Sequence, residues 1–122
     1  MLLVPEHSSA IIVDWLFLSY AGKLLDAGVR IFLYQKAMIH CKTVVIDDEW
    51  ATVGSTNMDV LSFFRNRESN LVIRNPSAIA ELKEQFLSDL THSRELTREQ
   101  LAIEPFWKIV VGYLARSLKS FF

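Results

Sequence analysis

The spacing of apolar residues predicts helices and short strands in alternation. The apolar run at Leu2–Val4 is typical of a strand. A helix that Ser8 or Ser9 would cap continues to about Ala27. Apolar side chains occur nearly all round this helix, so it needs neighbouring elements on more than one side.

Later segments alternate in the same way. Runs rich in β-branched and aromatic residues predict strands, and a period of 3.6 residues predicts helices. The predicted strands are 29–34, 39–46, 50–54 and 69–74, and the predicted helices are 58–64, 79–90, 97–103 and 105–122. This order indicates an α/β or α+β domain with a mixed β-sheet flanked by helices.

Composition narrows the class of protein. A chain of 122 residues with 51% hydrophobic residues and a net charge of −1 is long and apolar enough for one core and is not a disordered chain. The single Cys41 excludes a disulfide scaffold. Nucleic acid is an improbable partner because no large positive excess exists to neutralise phosphates. We expect neither a membrane span nor a signal peptide within these residues.

The candidate chemistry is concentrated between residues 40 and 57. On a strand with a period of two residues, His40 and Lys42 lie on one face. The next strand returns antiparallel and brings Gly54, Ser55 and Asn57 towards the same end. An imidazole, an ammonium, a hydroxyl and an amide at one point suit a phosphate group.

Each of these residues has an ordinary explanation when it is taken alone. A strand end can carry H-x-K by chance, Asp47 precedes a turn, and Ser55 and Asn57 are common loop residues. The informative feature is the joint pattern H-x-K-x4-D-x6-G-S-x-N, which specifies six positions in eighteen residues.

This pattern is the HKD signature of the phospholipase D superfamily, which the chain closely resembles. Further matches outside the signature resemble the C-terminal half of bacterial cardiolipin synthases. They are Tyr20, Leu24–Val29, Ile31, Met58, Asp59, Ser62, Phe63, Asn66, Glu68, Asn70, His92–Leu96, Trp107 and Leu114–Arg116.

The resemblance implies a phosphatidyltransferase that uses neither a metal nor another cofactor. It transfers a phosphatidyl group between two phosphatidylglycerol molecules through a phosphohistidine and releases glycerol. The catalytic residues that it implies are His40, Lys42, Asp47 and Glu68. His40 leans towards the acid/base role over the nucleophile, and Glu68 would orient its ring. For Asp47, a structural role in the turn is favoured over direct catalysis.

The phosphate-binding residues would be Lys42, Gly54, Ser55 and Asn57. The resemblance also implies a phospholipase D-like half-domain at residues 1–96, with its phosphodiesterase motif at about 34–61, and a C-terminal helical tail at 97–122. It places the protein at the bacterial cell membrane, with the active site facing the cytoplasm.

Only one HKD copy is present in the chain. A complete site therefore needs a second HKD half-domain, supplied in cis by a longer polypeptide or by a homodimer, and the abrupt start at Leu2 favours a fragment. Two other functions stay open: a self-dimerising phosphodiesterase or nuclease, and an inactive truncated fragment.

The C-terminal helix is expected to be amphipathic. One face carries Trp107, Val110, Val111, Leu114, Leu118, Phe121 and Phe122. From Glu104 onwards there are three basic residues and one acidic residue, a balance of +2 that leaves −3 for the rest. Such a helix can lie at a membrane surface or pack on its own domain or a partner half.

Overall fold

The computed structural model describes residues 1–57 and 66–118, with residues 106 and 115–118 described by their backbone alone. The strands are β1 Leu2–Pro5, β2 Ile31–Tyr34, β3 Lys42–Ile46, β4 Trp50–Gly54, β5 Asn70–Ile73 and β6 Ser93–Leu96. The helices are α1 Ile11–Asp26, α2 Pro76–Leu90, α3 Arg98–Ile103 and α4 Phe106–Leu118. The short helix expected at 58–64 lies outside the described residues.

The chain divides into two compact units, Met1–Ile39 with Leu90–Phe122, and His40–Asp89. In the first unit β2 is central, parallel to β1 and antiparallel to β6. The parallel pair is joined through α1, as a crossover connection requires. The core of this unit is made of five buried apolar residues: Ala21, Ile31, Leu33, Leu96 and Leu101.

The second unit contains an antiparallel sheet in the order β3–β4–β5. Ala51 on the central strand and Ile79 on α2 are both buried. Lys83 on α2 makes an ion pair with Asp48, 2.6 Å between Nζ and Oδ2, which ties the helix to the turn between β3 and β4. This unit contains the complete H-x-K-x4-D-x6-G-S-x-N segment.

The expected fold class is confirmed, since strands and flanking helices occur in the predicted order. The strands belong to two three-stranded sheets, and only the sheet built on β2 is mixed. β6 was not predicted, because Ser93–Leu96 carries three polar residues in four and has no apolar run. It is a strand because its backbone pairs with β2, with Arg94 opposite Leu33.

The helix α4 packs against α1 through its glycine. Gly112 is buried, and a Cβ added there would lie 2.1 Å from the carbonyl oxygen of Trp15. The rings of Trp15 and Trp107 meet edge to face, with centroids 5.0 Å apart and an interplanar angle of 83°. Among the described residues, no helix is both long and apolar enough to cross a bilayer.

Candidate functional site

The register of the second sheet brings three polar positions into one row. Lys42 at the start of β3 is opposite Gly54 at the end of β4, and Gly54 is opposite Asn70 at the start of β5. This arrangement follows from antiparallel pairing, because the first residue of one strand then meets the last residue of the next. The candidate site lies at this end of the sheet, where Ser55 also follows Gly54 directly.

Lys42 and His40 are in direct contact at this end. The Lys42 ammonium donates a hydrogen bond to the His40 carbonyl oxygen at 2.7 Å. Lys42 is partly buried, whereas His40 is exposed. The Lys42 ammonium therefore lies beside the backbone of His40, whose exposed side chain solvent or a ligand can reach. A phosphate would need both groups, the cation to bind its oxygens and the imidazole to react with it.

Gly54 allows two strands to approach closely. A Cβ at this position would lie 1.8 Å from Asn70 Oδ1 and 2.4 Å from the carbonyl oxygen of Ser69. No other residue type fits without moving β5. In this structure, the space beside Gly54 is therefore occupied by the neighbouring strand.

Ser55 is held by a network that includes the predicted carboxylate. Its hydroxyl donates to Glu68 Oε2 at 2.6 Å and accepts from the backbone N–H of Ser69 at 3.0 Å. The Ser55 N–H donates to the Ser69 carbonyl oxygen at 3.0 Å. The network orients Glu68 at the same end of the sheet as Lys42, while its action on His40 remains a prediction.

Asn70 matches the family resemblance, but the sequence analysis did not assign it to the candidate site. Its side-chain amide donates to Thr56 Oγ1 at 2.6 Å, and its Oδ1 accepts from the Thr56 N–H at 3.4 Å. It therefore closes the loop that leads from Gly54 to Asn57. An asparagine at the start of a predicted strand was a weak signal, because its function depends on pairing with Gly54.

Asp47 lies at the opposite end of the sheet from Lys42. Asp47 follows Lys42 by five positions along the chain, roughly 16 Å at the usual rise of an extended strand. Asp47 and Asp48 have φ values of 51° and 57°, and the Glu49 N–H donates to the Ile46 carbonyl oxygen at 3.2 Å. Aspartate tolerates this left-handed conformation in tight hairpins, so the geometry supports the structural reading of Asp47.

The structure thus brings His40, Lys42, Gly54, Ser55 and Glu68 to one end of the second unit. Asn57 is exposed and follows three residues after Gly54. Of these residues, Lys42 supplies a cation, His40 an accessible imidazole and Glu68 a carboxylate bound by a hydroxyl. These groups can hold an anion next to a nucleophile or proton donor.

Comparison with known proteins identifies the family. Residues 1–90 match the profile described as cardiolipin synthase, PLD-like domain. The chain therefore belongs to the cardiolipin synthase family of phospholipase D-like domains.

Individual relatives agree with this assignment. The chain is 42% identical to a cardiolipin synthase of Staphylococcus aureus (strain Mu50) over 106 residues, which are 87% of this chain and 22% of that protein. It is 40% identical to the major cardiolipin synthase ClsA of Bacillus subtilis (strain 168) over 117 residues, 96% of this chain and 24% of that protein. The chain spans less than a quarter of these curated relatives. No solved structure gives a significant match.

Proposed function

We propose that this chain supplies one half of the active site of a phosphatidyltransferase that makes cardiolipin from two molecules of phosphatidylglycerol. The observation that carries the proposal is the row Lys42–Gly54–Asn70, with the Lys42 ammonium on the His40 backbone. Membership of the cardiolipin synthase family supports the choice of substrate.

The reaction needs two histidines. In the first step, a ring nitrogen of one histidine attacks phosphorus, and the bond from phosphorus to the glycerol headgroup oxygen breaks. The other histidine donates a proton to that oxygen, and glycerol leaves. In the second step, a hydroxyl of another phosphatidylglycerol attacks the phosphorus of the phosphohistidine, and the phosphorus–nitrogen bond breaks and releases the first histidine. The attacking hydroxyl loses its proton to the same acid/base histidine.

We assign the acid/base role to His40 and the binding of non-bridging phosphate oxygens to Lys42. Glu68, oriented by Ser55, would hold the His40 ring in one tautomer and stabilise its charged form. Asn57 would donate to the phosphate once it is bound, whereas the single hydroxyl proton of Ser55 is already donated to Glu68. Asp47 contributes the turn between β3 and β4 and no chemistry.

The second histidine belongs to a partner half-domain, because the chain contains one HKD copy. That half would come from the same longer polypeptide, at a bacterial membrane with the site facing the cytoplasm. A lipid phosphodiester is favoured over nucleic acid because the chain carries a net charge of −1.

Reconstitution tests this function. The chain is mixed with the N-terminal part of a family member in vesicles that contain phosphatidylglycerol, and cardiolipin is measured by mass spectrometry in EDTA. The chain alone should form no product, and the mixture should form cardiolipin. His40→Ala and Lys42→Ala should each remove at least 99% of the product, whereas Lys36→Ala should change it little.

Two results would contradict the proposal. One is substantial cardiolipin formation by both the His40 and the Lys42 variants. The other is a stable homodimer of the chain that cleaves a soluble phosphodiester in EDTA without the second half, which would establish the self-dimerising phosphodiesterase instead.

A further inference from the structure

The C-terminal helix leaves its apolar stripe largely uncovered. Trp107 is 53% exposed and Leu114 is 59% exposed, although both lie on the apolar face of α4. Val110 and Val111, between them on that face, are only partly buried. Among the α4 residues whose side chains the structure describes, the buried one is Gly112, which contacts the backbone of Trp15 on a different side of the helix.

The first turn of α1 is also exposed beside Trp107. Ile11 is 64% exposed. Trp15 follows Ile11 by one helical turn, so the two share a face, and the Trp15 ring contacts Trp107. We call the exposed set Ile11, Trp107 and Leu114 the tryptophan patch.

Chemistry distinguishes between possible occupants of the tryptophan patch. An exposed apolar cluster of this kind marks an interaction site, and tryptophan favours the boundary between headgroups and acyl chains. Residues 104–122 carry a charge balance of +2 within a chain of net charge −1. An anionic bilayer surface matches both the apolar stripe and the local positive charge.

We infer that the tryptophan patch docks on the surface of a bilayer that contains anionic phospholipid. α4 then lies in the plane of the interface, with Trp107 and Leu114 among the upper acyl groups. Packing through Gly112 makes this possible, because it fixes α4 on α1 and leaves the larger apolar side chains facing outwards. This inference extends the proposed function, since a chain that acts on a lipid needs a route to the bilayer.

Vesicle binding by the full chain tests the inference. The vesicles contain equal parts of phosphatidylglycerol and phosphatidylcholine, and the reference vesicles contain phosphatidylcholine alone. We expect the chain to sediment with the anionic vesicles and its tryptophan emission to shift to the blue. Phosphatidylcholine brominated on its acyl chains should quench that emission, and Trp107→Phe should reduce the quenching.

A matched pair of variants tests the role of the patch. Leu114→Gln should weaken vesicle binding by about fivefold to tenfold, because the bilayer would then bury one leucine side chain fewer. Leu87→Gln makes the same change on α2, where the leucine is 45% exposed and outside the patch. This control should bind as the unchanged chain does.

Three outcomes would overturn the inference: absence of sedimentation with anionic vesicles, equal binding by the Leu114 and Leu87 variants, and a dimer without vesicle binding that Leu114→Gln dissociates. The third outcome would make the tryptophan patch a contact between two copies of the chain. Vesicles of phosphatidylserine and phosphatidylcholine, which lack the proposed substrate, should bind the chain equally well, so loss of catalysis and loss of docking are separate results.

Discussion

The ammonium of Lys42 donates a 2.7 Å hydrogen bond to the carbonyl oxygen of His40, two residues earlier in the chain. The cation is thus held beside the histidine before any phosphate is bound. Binding a phosphate replaces a neutral carbonyl acceptor by an anionic oxygen, which forms the stronger hydrogen bond. Under the proposed function, the ammonium of Lys42 exchanges this carbonyl oxygen for a phosphate oxygen.

Replacement of Lys42 by methionine should remove this binding group while keeping the aliphatic stem. A hydrogen bond between charged groups contributes about 1.5–3 kcal/mol, so the affinity for a short-chain phosphatidylglycerol should fall by about 10-fold to 100-fold. The affinity is measured by following the NMR chemical shifts of the His40 ring protons as the short-chain phosphatidylglycerol is added. Lys36→Met is the control, because Lys36 is exposed and outside the site. Equal affinities of the two variants would contradict this role of Lys42.

Gly54 should tolerate no side chain. In Gly54→Ala the new Cβ would overlap Asn70 Oδ1 and the Ser69 carbonyl oxygen. The free energy of unfolding in urea should fall by about 1–3 kcal/mol, the usual cost of an overpacked position.

A second glycine provides the comparison for this measurement. At Gly22 on α1, a Cβ would meet the flexible end of the Arg98 side chain at 3.1 Å. Gly22→Ala should be neutral or stabilising by up to about 1 kcal/mol, because alanine favours the helix. Equal free energies of unfolding for the Gly54→Ala and Gly22→Ala variants would contradict the close approach of β5 to Gly54.

Ser55→Ala should weaken the loop that follows β4. The Ser69 N–H and the Glu68 carboxylate each lose a hydrogen bond to the Ser55 hydroxyl. We expect a loss of about 1 kcal/mol in the free energy of unfolding. Ser77→Ala, at an exposed position on α2, should change it by less than about 0.5 kcal/mol. Equal effects of the two substitutions would show that the network does not stabilise the loop.

Glu6 should make the stability depend on pH in acid. Burial by itself raises the pKa of Glu6, but hydrogen bonds from Arg94 and Gln35 and the positive charge of Arg94 outweigh it. The pKa of Glu6 therefore lies below its ordinary value of 4.5. The Arg94 guanidinium makes the shortest of these contacts, 2.6 Å to Oε1.

The folded chain consequently binds fewer protons at Glu6 than the unfolded chain does. The stabilisation is complete above the unfolded pKa and is lost as the pH falls through the folded pKa. Glu6→Gln should reduce the free energy of unfolding at pH 7 by about 1 kcal/mol. The difference from the unchanged chain should shrink below about pH 4. Urea unfolding from pH 7 to pH 3 measures this, and a constant difference over that range would refute the assignment.

The local elements of this fold could largely be predicted from the sequence. β4 was predicted at the residues where it occurs, and the predicted bounds of α1 differ from the observed ones by a few residues. Both follow from the periodicity of apolar side chains, a property of neighbouring residues. β6 could not be predicted in this way, because Ser93–Leu96 becomes a strand only through its pairing with a segment about sixty residues earlier.

In the candidate site, too, some features could be predicted from the sequence and others depend on pairing between distant segments. The residue types at His40, Lys42 and Ser55 indicated phosphate chemistry without any structure. The sequence did not indicate that Gly54 makes room for Asn70, or that Ser55 holds Glu68. These relationships depend on the register in which β5 pairs with β4, and that register is set only when the sheet forms.

Pattern and spacing alone were sufficient for the family and for the order of most helices and strands, because those properties are carried by side chains close together in the chain. Tertiary structure decided the side of α4 that packs on α1. The sequence marked Trp107 and Leu114 as the apolar face, yet Gly112 makes the contact, because only a residue without a side chain lets α4 reach the Trp15 carbonyl. Close approach of two backbones is a property of their packing, and no periodicity in either helix specifies it.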